Sequence, residues 1–377
     1  MAEEAERGET SLTLEIDGAF GEGGGQILRV SLALSAVTGI PVHIRNIRVK
    51  RSPPGLRAQH RTAAEAVARL SNATVVGLEL GSTELEFTPG KLRGGQLVLD
   101  TGTAASTTLV LQCLLPTMLF SEGRTQVEVR GGTNNSWAPP IDYFQRVLIP
   151  VHSMMGFEVE IEVVRRGFYP RGGGIVRAGL SPVEAIHPIE LEGFEKVASA
   201  SGIAYSSRLP AHIVSRMVRT VREVFQRAHL VDNGIRTEAI DYHDPRCALS
   251  PGCGIVLTAA VLPKGILGAD SLGEVGKSAE RVGKEAAEAL VRLIQQGAPV
   301  DYHLGDQLII YMALAKGSSV VRVSELTPHT ESCIYACERF FGRIFKLSGD
   351  LGKPTTITCK GAGFTGSQRR ATRARLL

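Results

Sequence analysis

One order of strands and helices recurs three times along this chain at a spacing of about 85 residues, and it constrains the fold more than any other feature. The order is β-α-β-α-β-β. In the first copy, strand 12–16 leads to an apolar helix over 26–37, strand 42–47, a helix over 56–70 and paired strands at 74–80 and 84–87. In the second, strand 96–100 precedes an apolar helix over 106–120, strand 125–130, a helix over 141–155 and strands 158–164 and 174–180. The third has a helix at 306–314, strand 319–323, helix 330–341 and strands 344–347 and 355–358, but its first strand lies far upstream at 185–191. Between those parts fall strands 198–205, 234–241 and 254–262 and long helices over 210–227 and 276–296, which read as an inserted domain. Alternating strands and helices imply sheets covered by helices, so the fold class is α/β (α+β), three repeats with a smaller inserted α/β domain. The expected boundaries are 11–190 and 291–377 for the repeat-built domain and 191–290 for the insert, with 1–10 and 367–377 as flexible tails.

A chain of 377 residues is long enough for that two-part plan. Apolar content is 43%, and no run approaches the roughly 20 apolar residues of a membrane span. Met1 to Thr10 is acidic and polar, without the basic and apolar regions of a secretion signal, which points to a cytoplasmic protein. A net charge of +4 permits a polyanionic partner without demanding one. Arg45, Arg48, Lys50, Arg51, Arg57 and Arg61 crowd one segment and are the candidates for nucleic-acid phosphates, whereas Arg369, Arg370, Arg373 and Arg375 read as a solvated end. Aromatic residues make up 5%, too few for a base-stacking sheet, so an RNA partner is expected to be gripped through phosphates at one end. Six cysteines form no C-x-x-C pair, which suits reduced thiols. His329, Cys333 and Cys337 stand at helical spacing, yet their span of about 12 Å is too long for one metal ion, and buried core thiols fit better.

The candidate chemistry clusters in a few blocks. Arg166 to Val176 reads R-G-F-Y-P-R-G-G-G-I-V between alternating apolar runs. A hairpin explains one or two glycines; three suggest a close backbone approach, and Arg166 and Arg171 suggest an anion. The second helix of each repeat is expected to open with proline in its first turn, at Pro53-Pro54, Pro139-Pro140 and Pro328. His329 follows Pro328, with Thr327 as the helix cap; a helix N-terminus disfavours imidazolium, keeps the nucleophilic neutral ring and offers free N–H groups to a phosphate. Asp17 to Arg29, D-G-A-F-G-E-G-G-G-Q-I-L-R, lacks the G-K-[ST] of a P-loop but presents one carboxylate, Glu22, beside a helix start and Arg29. A hard divalent ion bound with nucleotide phosphates needs only one or two such carboxylates. Gln112 is a lone polar side chain in an apolar helix, Asp306 is read as a capping residue near the start of its helix, and Gln59 and His60 lie on the basic helix.

Taken together, D-G-A-F-G-E-G-G-G-Q-I-L-R, P-G-L-R-A-Q-H, R-G-G-T-N-N-S-W-A-P-P, R-G-F-Y-P-R-G-G-G-I-V, H-L-G-D-Q-L and H-T-E-S-C-I-Y-A-C-E-R-F resemble the RNA 3′-terminal phosphate cyclase family over nearly the whole chain. The resemblance implies three β-α-β-α-β-β units like the C-terminal fold of translation initiation factor 3, with a smaller inserted domain. It implies a ligase of RNA processing that consumes ATP with Mg²⁺ or Mn²⁺ and turns an RNA 3′-terminal phosphate into a 2′,3′-cyclic phosphodiester. His329 is then the nucleophile that takes up AMP. Gln112, His303, Leu304, Gly305, Asp306 and Gln307 line the nucleotide pocket; Arg29, Arg48, Arg51 and Gln59 hold phosphates or the RNA end; and Glu22 holds the metal. Family members often carry tyrosine where His303 stands. The rivals are a non-catalytic cyclase-like ribosome-biogenesis binding protein, a branch without the histidine, and an enolpyruvyl transferase, whose fold also repeats β-α-β-α-β-β. The oligomeric state stays open, a homodimer included.

Overall fold

The computed structural model describes residues 13–366. The expected flexible tails, 1–10 and 367–377, lie outside these residues, as does the arginine cluster of the second. The first repeat consists of β1 (Leu14–Asp17), α1 (Gln26–Thr38), β2 (Val42–Arg45), α2 (Ala58–Ser71), β3 (Thr74–Val76) and β4 (Leu85–Thr88). The second comprises β5 (Arg93–Asp100), α3 (Thr107–Leu119), β6 (Glu122–Gly131), a helical run, β7 (Val159–Arg165) and β8 (Gly174–Leu180). That run is α4 (Ile141–Tyr143), a π turn over Phe144–Leu148 and α5 (Ile149–Met154). Pro150 explains the break in ladder: it has no N–H for the Arg146 carbonyl one turn back.

The third repeat opens with β9 (Glu190–Leu191), far shorter than the expected 185–191. Upstream of it the backbone is engaged elsewhere, His187 N with Met155 O and Ile186 O with Lys316 N, and Pro188 has no N–H to donate. The inserted segment follows with β10 (Lys196–Ser207), α6 (His212–Arg227), β11 (Asp232–Ile240), β12 (Gly252–Leu262), β13 (Ile266–Leu272) and α7 (Ala279–Gln295). Strand β13, with Gly268 and Asp270 in its middle, has little strand propensity and escaped sequence reading; antiparallel pairing with β12 makes it a strand. The chain then completes the repeat with α8 (Tyr302–Leu314), β14 (Ser319–Val323), α9 (Pro328–Phe341), β15 (Phe345–Ser348) and β16 (Thr355–Cys359).

Each repeat forms the same four-stranded sheet, in orders β1-β2-β4-β3, β5-β6-β8-β7 and β9-β14-β16-β15. The first two strands of each order are parallel, across a helical crossover, and the rest are antiparallel. The first helix of each repeat (α1, α3, α8) is buried on nearly every side, which is why its sequence is apolar all round rather than striped. One apolar cluster runs through all three repeats, from Ile16 to Cys359, and takes in Cys333 and Cys337. A second, drawn from residues 200–293, lies between α6, α7 and the β11-β10-β12-β13 sheet. The two parts are stitched by backbone bridges, Ile266 to Val300 and Val300 to Val323. Among the described residues no helix is long and apolar enough to cross a membrane.

Candidate active site

The glycine-rich blocks make room for side chains. A Cβ on Gly24 would stand 2.9 Å from Glu22 Oε1, and one on Gly25 would overlap the His60 ring. Bare backbone before α1 therefore lets Glu22 and His60 fold over the helix start. In the third repeat, Thr327 caps α9: its Oγ1 accepts from Thr330 N at 3.0 Å and donates to Asp306 Oδ1 at 2.7 Å, while the Thr330 hydroxyl donates to the same oxygen. This carboxylate of α8 thus fixes the first turn of α9, where His329 sits. The expectation that Asp306 caps its own helix is corrected: α8 begins four residues earlier than supposed, and its cap is Asp301, whose Oδ1 accepts from Leu304 N. The proline expectation also fails in one repeat. Pro328 and Pro140 stand at their helix starts, but Pro53-Pro54 lie in the loop before α2, which opens at Ala58.

A cleft of about 820 Å³ opens where the three repeats and the insert meet. Glu22, Arg29, Arg48, Arg51, Gln59, Gln112, His303, Asp306, Gln307 and His329 all line it. Leu304 and Gly305 do not: Leu304 is fully buried, and Gly305 packs on Val323. His329 Nδ1 stands 2.9 Å from Glu22 Oε1, and Arg51 Nη2 stands 3.1 Å from that oxygen. Neither contact is a directed hydrogen bond, so Glu22 Oε1 is a buried acceptor without one. Burial lowers the His329 pKa from 6.5; Glu22 opposes this, and Arg29 and Arg51 add to it. The ring is half exposed, and its partial burial together with the neighbouring guanidinium groups favours the neutral form at pH 7.

Arg29 is buried and bonds Gln26 Oε1, and Gln26 Nε2 donates to Cys333 Sγ at 3.0 Å. Gln112 Nε2 donates to Gln307 Oε1 at 2.8 Å, so the lone glutamine of α3 finds its partner on α8. Asp306 is pushed up to about 7 by burial, against the two threonine hydroxyls. His60 falls to about 3 through burial and then Arg29, Arg48 and Arg57; its neutral Nδ1 accepts from Arg57 N at 3.2 Å. His303 lies against Tyr302, ring centroids 4.2 Å apart, and edge-on to Tyr143 at 6.1 Å. Of the basic segment, Arg48, Arg51 and Arg57 reach the cleft; Arg45 pairs with Glu15, and Lys50 donates to Gly21 O.

The Arg166–Val176 block does not form an anion site at Arg166. That guanidinium is buried and chelated by Asp142 (Nη1–Oδ2 2.7 Å, Nη2–Oδ1 2.9 Å) and Glu238 (Nε–Oε1 2.6 Å), and it stacks over the Tyr205 ring. Gly172 and Gly173, both in the left-handed region, admit Ala104 and the insert's Leu249, where any Cβ would collide. The glycine triplet closes chain on chain. Sequence reading also missed cleft residues. Asn135, Ser136 and Trp137 lie in a block noted only as a string, and Asp270, Ser271, Glu274 and Lys277 come from the insert, where no motif announced them.

The family model of RNA 3′-terminal phosphate cyclases matches residues 20–347. The chain belongs to this family. A protein named RNA 3′-terminal phosphate cyclase from Methanothermobacter thermautotrophicus is 47% identical over 342 residues, 91% of this chain and 98% of that protein. Similar proteins of the same name from Methanopyrus kandleri and Thermococcus kodakarensis are 43% and 44% identical, over 93% and 91% of this chain and 99% and 97% of theirs. The match covers the insert and most of the three repeats.

Proposed function

We propose that this chain is an ATP-dependent ligase that converts an RNA 3′-terminal phosphate to a 2′,3′-cyclic phosphodiester, with His329 as the group that carries AMP. The observation behind this reading is a histidine at a helix start, 2.9 Å from the partly buried carboxylate of Glu22, in a cleft with Arg29, Arg48, Arg51 and Arg57. With Nδ1 turned to Glu22, the lone pair of Nε2 is left for attack. Nε2 attacks the α-phosphorus of ATP; the bond to the β-phosphate oxygen breaks and pyrophosphate leaves with both electrons. An oxygen of the RNA 3′-phosphate then attacks the same phosphorus, and the neutral imidazole is the leaving group. Finally the adjacent 2′-hydroxyl attacks the RNA phosphorus, AMP departs and the hydroxyl proton is released. Oxide is a poor leaving group and AMP a good one, while the vicinal hydroxyl reacts intramolecularly, so proximity supplies much of the last step.

Gln112, His303, Asp306 and Gln307 form the nucleotide side of this reading, and Arg29, Arg48, Arg51 and Gln59 the phosphate and RNA side. Arginine suits it through its fixed, paired donors. Glu22 Oε1, a buried acceptor without a directed hydrogen bond, is the atom that would hold a divalent ion. Bound there, Mg²⁺ or Mn²⁺ supplies charge neutralisation at the phosphates. The test is labelling with α-phosphate-labelled ATP. Acid-labile label on wild type, absent from His329→Ala and discharged by 3′-phosphorylated RNA, is the expected result. Cyclisation persisting in folded His329→Ala would overturn it. No label at all from folded wild type would favour the non-catalytic binding reading.

A further inference from the structure

Trp137 is the one tryptophan of the chain, and its side chain is 100% exposed at the edge of the cleft. Its backbone is left-handed, φ 68, a conformation costly for a bulky residue and concentrated at functional sites. Nor does the loop hang free. Asn134 Nδ2 donates to Asp142 Oδ2 at 3.1 Å, the Asn135 amide bonds Ala104 O, and Pro139 O accepts from Thr108 Oγ1 at 2.8 Å. Two prolines then lead into α4. A loop pinned on both sides of its crest thus holds a large flat apolar ring in water, with no packing partner to repay it.

We propose that Trp137 is a stacking platform for a base of the RNA at or next to its 3′ end; this rests on the RNA-end reading above and adds a contact to it. Stacking on an aromatic face accepts any base and is how single-stranded RNA ends are held beside phosphate contacts. RNA, rather than the adenine of ATP, is assigned by depth. The candidate nucleotide residues Asp306 and Gln307 are buried, whereas Trp137 is at the rim, and of the two ligands only the RNA chain must continue out over the rim. The assignment also explains how a chain with 5% aromatic residues can hold an RNA end: one stacked base, with arginines for the phosphate.

Because the tryptophan is single, its fluorescence reports the site directly. Full-length protein is titrated with a short 3′-phosphorylated oligoribonucleotide, with the same oligonucleotide abasic at its last two positions, and with ATP. Expected is quenching by the intact RNA, retained in His329→Ala, and much weaker quenching by the abasic RNA and by ATP. In cyclisation assays Trp137→Ala raises KM for RNA about 5- to 100-fold, with KM for ATP unmoved, and Trp137→Phe recovers most of the loss. Three results would each overturn the platform: quenching by ATP alone, equal response to intact and abasic RNA, or an emission shift that follows protein concentration without ligand. The last would mean that the ring is covered by a second copy. Failure of wild type to cyclise counts against the proposed reaction and leaves the fluorescence comparison to judge the platform.

Discussion

A single oxygen, Glu22 Oε1, faces both His329 and Arg51, and the charges there act on the protonation of the ring alongside its partial burial. Since the folded pKa of His329 is lowered from 6.5, the nucleophilic form persists below that pH and is lost only as pH falls through the lowered value. The acid limb of single-turnover adenylylation is therefore expected below pH 6.5 in wild type. Arg51→Ala removes a cation that depresses the ring, so the limb should move upward, as read from rates across pH. Arg166 illustrates the opposite fate for a suggestive residue. Burial alone would raise the Asp142 pKa, but the chelating guanidinium outweighs it, and the carboxyl is held below its usual range. Removing one partner strands the other in the core, so Arg166→Ala should cost about 3–5 kcal/mol in urea denaturation. The residue types at both sites were legible in the sequence. Whether an arginine faces a ligand or a buried carboxylate was not, because Asp142 and Glu238 lie far from Arg166 along the chain.

Among the elements, α9 depends on α8. The Thr327 hydroxyl serves both its own helix cap and Asp306, and with the Thr330 hydroxyl on the same carboxylate it orients the first turn carrying His329. Thr327→Ala should lower stability by about 1 kcal/mol, the worth of a cap. It should slow adenylylation about 10- to 100-fold through misplacement of the ring, and Thr327→Ser should restore both. Denaturation and single-turnover labelling check the two halves separately. Sequence periodicity located the helices of every repeat, since an apolar helix or an amphipathic one records its own surroundings. It did worst where pairing alone makes the element. β9 shrank to Glu190–Leu191 and β13 went unseen, because a strand's partner is elsewhere in the chain.

For the molecule as a whole, Asp301 is one of the ties between its parts. Fully buried, it accepts from Tyr143 OH at 2.7 Å, from Gly268 N of the insert at 2.9 Å and from Leu304 N at 3.0 Å. Asp301→Ala leaves three buried donors unpaired and should cost about 3 kcal/mol or more, again by denaturation, with adenylylation falling because His303 stands two residues on in the same turn. The sequence by itself determined the β-α-β-α-β-β recurrence, the interruption of its third copy and the blocks whose residues line the cleft, since hydrophobic period and turn chemistry are local properties of a chain. Only the tertiary structure decided that Arg166 is a core ion pair, that Gly172 and Gly173 admit neighbouring chain, and that the insert supplies Asp270, Ser271, Glu274 and Lys277 to the cleft wall. Each of these depends on what stands opposite a residue in space, and contacts between segments so far apart are chosen by packing and by pairing of buried charge, which no local pattern encodes.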